Sequence, residues 1–428
     1  MSRKQRALTC LHTLESELLQ SSKTDFKEAS VALMRDIAIT KTICLQGLPL
    51  NNCAAYEKIF DKMLLSSKEM AENEEIKIKK HAFSKCFESL QRLIHKAERE
   101  TKFKKDIVFL PYQASMWDSL ESVWKSACAD KEHCNAYVIP IPYAELNPDR
   151  SVAKWHCERE CFPKYVPTLD WKEIDLKAFN PDVIFFHNPY DESNLVTSVE
   201  SRYYSYNLKS CADELVYIPY FILEEPCMEE GIAHFVTLPG VLNADKVIVQ
   251  SESMKELYID VLVKKTNQPD RTYWEKRILG IGSPKIDKVL TSEKADFEMP
   301  EEWLELIQGK KVILYNTSVH KVISHPDKIL DKLRYVFDYF RKTDDFILWW
   351  RPHPLMQSTF HSMRPQFEEE FLALKNEYIE KKWGIYDDTS DLHRAICYSD
   401  AYYGDRSSVL DLYKYTKKPI MIEDVLEL

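Results

Sequence analysis

Apolar positions along the chain change their period near residue 100. Before it they recur every three to four residues, and the only glycine and proline, Gly47 and Pro49, share the break QGLPLNN. This pattern predicts an all-helical region over residues 1–101. Its last helix, about 74–100, puts Ile78, Ala82, Phe83, Phe87, Leu90, Ile94 and Ala97 near one face. The other face carries Lys77, Lys79, Lys80, Lys85, Arg92, Lys96 and Arg99.

From Lys105 the apolar residues gather into short continuous runs: 106–112 (DIVFLPY), 136–142 (AYVIPIP), 180–187 (NPDVIFFH), 214–219 (ELVYIP) and 244–251 (ADKVIVQS). A polar stretch at 266–277 interrupts the rhythm. It resumes at 278–287, 310–318, 346–350 (FILWW), 383–386 and 419–422, with helical patterns at 117–129, 328–342, 367–381, 390–398 and after Val409. Unbroken apolar strands alternating with helices predict parallel sheets covered on both faces. The expected class is therefore α/β, with a Rossmann-like domain at 102–265, a second at 275–428, and the helical region ahead of both. Trp349 and Trp350 read as sheet packing.

Composition narrows the function. At 428 residues, 45% hydrophobic and 12% aromatic, the chain is a well-packed protein of more than one core. A net charge of -10 argues against nucleic acid as its main ligand. No apolar run approaches the roughly 18 residues of a membrane span, and the first residues lack a signal peptide's apolar core, so a cytoplasmic location is expected. The basic face of helix 74–100 has two readings: peripheral contact with the anionic inner face of a membrane, or a solvated face on a helix docked to the body. Eleven cysteines, an odd number, read as free thiols. The cluster His156-Cys157-x3-Cys161 has no second ligand pair nearby, and no DxD-like acid pair stands after a candidate strand, so no metal is expected.

In doubly wound sheets ligands sit beyond the carboxyl ends of the strands. The polar residues there are His187, Asn188, Tyr190 and Asp191 in the first domain, and Thr317, Ser318, Arg351, His353, Asp405, Ser407 and Ser408 in the second. Gly404 followed by an acid and two hydroxyls at a helix start makes an anion cradle of unpaired N–H groups. Gly240, Gly280 and Gly282 also lie at apparent strand ends. Arg351 and His353 facing such a cradle would suit a diphosphate. The plainer readings are an ion pair for Arg351, a helix cap for Asp405, and satisfied structural histidines at His187 and His234.

The ordered pieces Gly280-x-Gly-Ser-Pro-Lys-x-Asp287, KKVILYNTS (310–318), WRPHP (350–354) and YSDAYYGDRSSV (398–409) resemble the CDP-glycerol glycerophosphotransferase family, which includes teichoic-acid polymerases. The resemblance spans about 275–422, and extends less closely over FLPYQASMWDSLESVW, VIFFHNPYD and LPGVLNADKVIVQSE. It implies a GT-B architecture, two Rossmann-like domains facing a cleft. It further implies that Arg351 and His353 contact the CDP diphosphate, and that Asp405, Ser407 and Ser408 hold phosphate and glycerol oxygens. Thr317, Ser318, Gly282, Gly404 and Arg406 complete the expected donor site. The family's base is a first-domain histidine in a His-Gly-Thr type motif. His187, followed here by Asn188-Pro189, is the candidate, with Asp191 and His353 in the catalytic set and His234 as rival.

The expected activity is transfer of glycerol phosphate from CDP-glycerol to a hydroxyl of a cell-surface polymer (teichoic-acid or capsule-like) or its lipid-linked precursor, without cofactor or metal. Two other readings stay open. One is a GT-B nucleotide-sugar glycosyltransferase or epimerase. The other is a non-catalytic nucleotide-binding scaffold whose residues 1–100 bind a partner.

Overall fold

The computed structural model describes residues 3–21, 26–48, 50–100, 103–147 and 149–422. Pro49 and the ends of the expected regions, 1–2 and 423–428, lie outside these. The chain divides into two units, residues 1–218 with 237–247, and residues 219–236 with 248–428.

The first unit opens with four long helices, α1 (Arg3–Ser21), α2 (Phe26–Gln46), α3 (Leu50–Glu72) and α4 (Ile76–Arg99). Helix α1 packs on α2 and α4, and α3 packs on the same two. Their shared core includes Leu11, Leu14, Leu18, Ile37, Tyr56, Phe60, Leu90 and Leu93. On α4 the buried stripe is Ala82, Cys86, Leu90, Leu93, Ile94 and Ala97. Ile78, expected on that stripe, is exposed, as are Lys77, Lys80, Lys85, Arg92 and Arg99. The apolar face of α4 is thus spent on the protein's own core. Arg6 of α1 ties the bundle to the sheet that follows, donating to the carbonyls of Phe179 (2.7 Å) and Asn180 (2.9 Å).

Eight strands follow in this part of the chain: β1 (Lys105–Leu110), β2 (Cys134–Val138), β3 (Tyr143–Leu146), β4 (Val152–His156), β5 (Val183–Phe186), β6 (Thr197–Val199), β7 (Glu214–Tyr217) and β8 (Lys246–Ile248). Five form a parallel sheet in the order β2-β1-β5-β7-β8. The other three form a small antiparallel sheet, β4-β3-β6, which the apolar pattern did not predict.

In the second unit the short β9 (Ile278–Leu279) accepts the amide of Val249 at Leu279. Then come β10 (Lys311–Thr317), β11 (Phe346–Pro352), β12 (Gly384–Tyr386), β13 (Ala401–Gly404) and β14 (Ile420–Ile422). These last five form one all-parallel sheet in the order β12-β11-β10-β13-β14. Strand alternation sends Trp349 into one covering layer with Val312, Leu314 and Ile347, and Trp350 into the other with Ile313, Tyr315 and Phe337. Both indoles are fully buried. The expected α/β class, with two parallel sheets and a helical N-terminal region, is what the chain adopts. No helix among the described residues is long and apolar enough to cross a membrane, and no disulfide joins any of the eleven cysteines.

Candidate functional site

Strands β10, β11 and β13 are neighbours in one parallel sheet, so Thr317, Pro352 and Gly404 end at the same edge. The register sets Asn316 beside Arg351 on one side and Gly404 on the other. Its side chain serves both. Nδ2 donates to the Arg351 carbonyl (3.0 Å), and Oδ1 accepts from the Ser407 hydroxyl (2.8 Å). The Asn316 carbonyl accepts the Asp405 amide (3.0 Å). Asn316 is therefore the pivot of this edge.

Gly404 allows the strands to meet so closely. Its φ is +137°, and a Cβ there would stand 2.1 Å from the Asn316 carbonyl oxygen. Only glycine fits that backbone and that space.

Asp405 follows and turns inward, with 1% of its surface exposed. Its Oδ2 accepts the Ser318 amide (2.7 Å), and its Oδ1 lies 3.2 Å from Nζ of Lys332, itself fully buried. The helix behind, Pro326–Phe340, carries Ile329, Leu333, Val336 and Phe337 on its buried face, and Lys332 sits among them. Ser407 caps the short helix Ser408–Tyr413, its hydroxyl accepting from the Leu410 amide at 3.4 Å. Ser408 and Arg406 are exposed; the Arg406 side chain, 71% open, has Nη1 3.7 Å from Glu224.

Arg351 points away from that turn. Its Nη1 stands 2.7 Å from Oδ2 of the fully buried Asp387, and Nη2 donates to the Thr389 carbonyl. Asp387 also accepts from the Trp349 indole (3.0 Å), the Thr389 amide (3.0 Å) and the Thr389 hydroxyl (2.7 Å). Thr317, fully buried, has its hydroxyl between the Trp350 indole (3.2 Å) and the Met356 sulfur (3.7 Å), inside the core.

His353 is half-buried. Its Nδ1 accepts the Leu355 amide (3.1 Å), so the neutral ring carries its proton on Nε2 as a donor. Burial holds its pKa below the usual histidine value. Gly282 (φ +116°) has open space where a side chain would stand.

The first-unit candidates are placed differently. His187 is wholly enclosed at the end of β5. Its Nε2 accepts the Tyr112 amide (3.0 Å), and its Nδ1–H is directed at the Ser119 hydroxyl (2.8 Å), which itself donates to the Met116 carbonyl (2.7 Å). Neither nitrogen has a lone pair open to a substrate, and the base role expected of His187 finds no support in this geometry. Asp191 (φ +47°) accepts from the Ser205 amide (2.7 Å) and hydroxyl (2.6 Å) and fastens the next turn. Burial raises its pKa. Asn188 is buried and Tyr190 half-buried. His234 is exposed on the helix Glu229–Val236, its ring against Phe235.

Sequence reasoning missed Asn316, Lys332 and Asp387. Lys332 had a signal, a lone charge within an apolar helical stripe. Asp387-Asp388 directly follows β12 as two adjacent acids, without the DxD spacing, and Asp387 is spent on the Arg351 side chain. No group of three or more acidic, histidine or cysteine side chains among the described residues could hold a metal ion.

No curated protein matches the chain. Among solved structures, one described as a UDP-N-acetylglucosamine 2-epimerase from Listeria monocytogenes aligns with a TM-score of 0.46 and 13% identity, over 74% of this chain and 79% of that one. The UDP-GlcNAc 2-epimerase from Neisseria meningitidis bound to UDP-GlcNAc gives 0.43 and 10%, over 74% and 82%. The wall teichoic acid polymerase TagF gives 0.38 and 16%, over 85% and 78%. Residues 238–424, which contain the whole strand-end cluster of the second sheet, match the family model of the CDP-glycerol:poly(glycerophosphate) glycerophosphotransferases, the family that the motifs between 275 and 422 resemble.

Proposed function

We propose that the chain transfers glycerol phosphate from CDP-glycerol to a hydroxyl of a cell-surface polymer, of the teichoic-acid or capsule class, or to its precursor. The observation that carries this reading is the family match over residues 238–424. The acceptor oxygen attacks the phosphorus that bears glycerol. A new P–O bond forms, the bond from that phosphorus to the bridging oxygen breaks, and CMP leaves with the electron pair. The hydroxyl proton passes to a base or to solvent.

Negative charge grows on the phosphoryl oxygens and on CMP, and fixed donors stabilise it. In this reading the Nε2–H of His353, the Ser408 hydroxyl and the exposed guanidinium of Arg406 supply those donors, while Asn316 and Asp405 hold the turn that presents them. His187 is left out of the scheme because both its nitrogens are engaged. The transfer needs no cofactor, and protein groups rather than a metal carry the charge.

Release of CMP from CDP-glycerol, followed by chromatography with a glycerol phosphate oligomer as acceptor, tests the reading. CDP-ribitol and UDP-N-acetylglucosamine serve as comparison donors, and chelator-treated protein checks metal independence. Turnover of the UDP-sugar alone would replace the proposal with a nucleotide-sugar enzyme. CDP binding without turnover would replace it with a scaffold.

A further inference from the structure

The acid of the Gly404-Asp405-Arg406-Ser407-Ser408 stretch is the residue most readily taken for a substrate ligand, yet its environment serves another purpose. Both carboxylate oxygens are engaged inside the protein, one by the Ser318 amide and one by the ammonium of Lys332. A lysine with no exposed surface is rare unless an opposite charge meets it. The pair joins three pieces of chain: the Pro326–Phe340 helix, the turn after β10 at Ser318, and the turn after β13 that carries Arg406, Ser407 and Ser408.

We propose that Lys332 is a positioning residue, whose buried ion pair holds Asp405 so that its second oxygen locks the Ser318 turn against the Asp405–Ser408 turn, and that Asp405 acts through these turns without touching the donor. The effect on catalysis rests on the function proposed above; the effect on the Ser318 turn does not. The geometry supports the division of labour. Oδ2 is 2.7 Å from the Ser318 nitrogen, a short charge-assisted bond. The same turn is braced from its other end by Ser407 on Asn316. Without Lys332 the carboxylate would be a buried charge lacking its cation, which drives it to take up a proton or to swing toward solvent. Either change releases the Ser318 amide.

The test compares Lys332→Met, Asp405→Asn and the double variant, in the full chain. Each single change removes one charge of the buried ion pair and leaves the other, whereas the double replaces the pair by a neutral one of similar shape, in which the side-chain carbonyl brought in by Asp405→Asn still accepts from Ser318. The expected result is that each single variant melts several degrees below wild type and loses about a hundredfold or more in kcat/KM, while the double regains most of the melting temperature and comes within roughly thirtyfold of wild type. Should the singles be too unstable to assay, the double against wild type alone decides. A double that folds like wild type but stays below that thirtyfold mark overturns the proposal, because the carboxylate is then needed on the substrate. Singles that change neither stability nor kcat/KM overturn it as well. Hydrogen exchange at the Ser318 amide separates this from failure of the proposed function. If wild type releases no CMP from CDP-glycerol, the function is wrong, but slow exchange in wild type and double with fast exchange in Asp405→Ala still upholds the positioning role, and equal exchange in all three sinks it.

Discussion

Nη1 of Arg351 lies 2.7 Å from Oδ2 of Asp387, and that carboxylate is entirely out of water. The arginine of Trp-Arg-Pro-His-Pro is thereby committed to the sheet it ends, since Asp387 immediately follows β12 and also takes the indole N–H of Trp349. Taking one partner from a buried pair leaves the other charge uncompensated, which costs about 3–5 kcal/mol. Asp387→Ala is expected to lose about that much stability in urea denaturation; Arg351→Ala should lose less, because Arg394 Nη2 stands 3.6 Å from Asp387 Oδ1 and still meets its charge, and the double variant less than the sum. A loss below about 1 kcal/mol for Arg351→Ala, with a raised KM for the donor, would mean the guanidinium swings out to substrate.

His353 should titrate below the ordinary histidine range, because burial disfavours its charged form. An unfolded histidine takes up its proton near pH 6.5. As pH falls through that value the unfolded chain gains a proton before the folded chain does, so this residue lowers stability on the acid side until its folded midpoint is passed. Above about pH 6.5 it contributes no such loss. Ring NMR of His353 should show a midpoint below about 6.5, with the neutral form protonated on Nε2. His353→Gln should lose less stability than wild type between about pH 7 and pH 5. A midpoint at or above the unperturbed value would refute the assignment, and with it the view that the residue meets the diphosphate as a neutral donor.

Much of this was legible because the strands are buried on both faces. Runs such as KKVILYN and FILWW have no polar alternation, and only a covered parallel sheet explains them. The small antiparallel sheet β4-β3-β6 gave no comparable signal. Its strands are three to five residues long, Val152 and Trp155 are exposed, and Tyr143 pairs with Val199 far along the chain. That polar residues follow the strands of the second sheet was legible, but their orientation was not. Nothing local in the sequence says that Arg351 turns to Asp387, or that Asp405 turns to Lys332. Those choices follow from which helix face and which strand ends meet in the folded sheet. His187 shows the same limit, since a strand-end histidine looks alike whether it faces a ligand or a backbone amide.

Two glycines with left-handed φ should respond unequally to the same change. At Gly404 a Cβ would lie 2.1 Å from the Asn316 oxygen, so Gly404→Ala must push apart β10 and β13 as well as strain its own backbone. A loss of about 3 kcal/mol or more is expected. At Gly282 no heavy atom lies within 4 Å of that position, so only the backbone strain remains, about 1–2 kcal/mol. Thermal denaturation of both variants checks the order. Equal losses would show that the Asn316 edge yields freely, and the pivot drawn here would be too rigid.

The last expectation concerns His187, where stability and catalysis part company. Its ring bridges the Tyr112 amide after β1 and the Ser119 hydroxyl in the following turn, and it packs edge-on against the Tyr112 ring. Replacing it with alanine opens a cavity and takes away the acceptor of the Tyr112 amide, while Ser119 keeps its bond to the Met116 carbonyl, so His187→Ala should lose about 2–4 kcal/mol. A general base, by contrast, carries a titration step in kcat/KM that vanishes when it is removed. Because both nitrogens are already engaged, the pH profile of CMP release should keep its shape in whatever His187→Ala protein remains folded, with kcat reduced less than about tenfold. A collapse of kcat by about a thousandfold in soundly folded protein would mean that the ring leaves Tyr112 and Ser119 during turnover. The first unit would then have to open around it, and the base expected from the family resemblance would be restored.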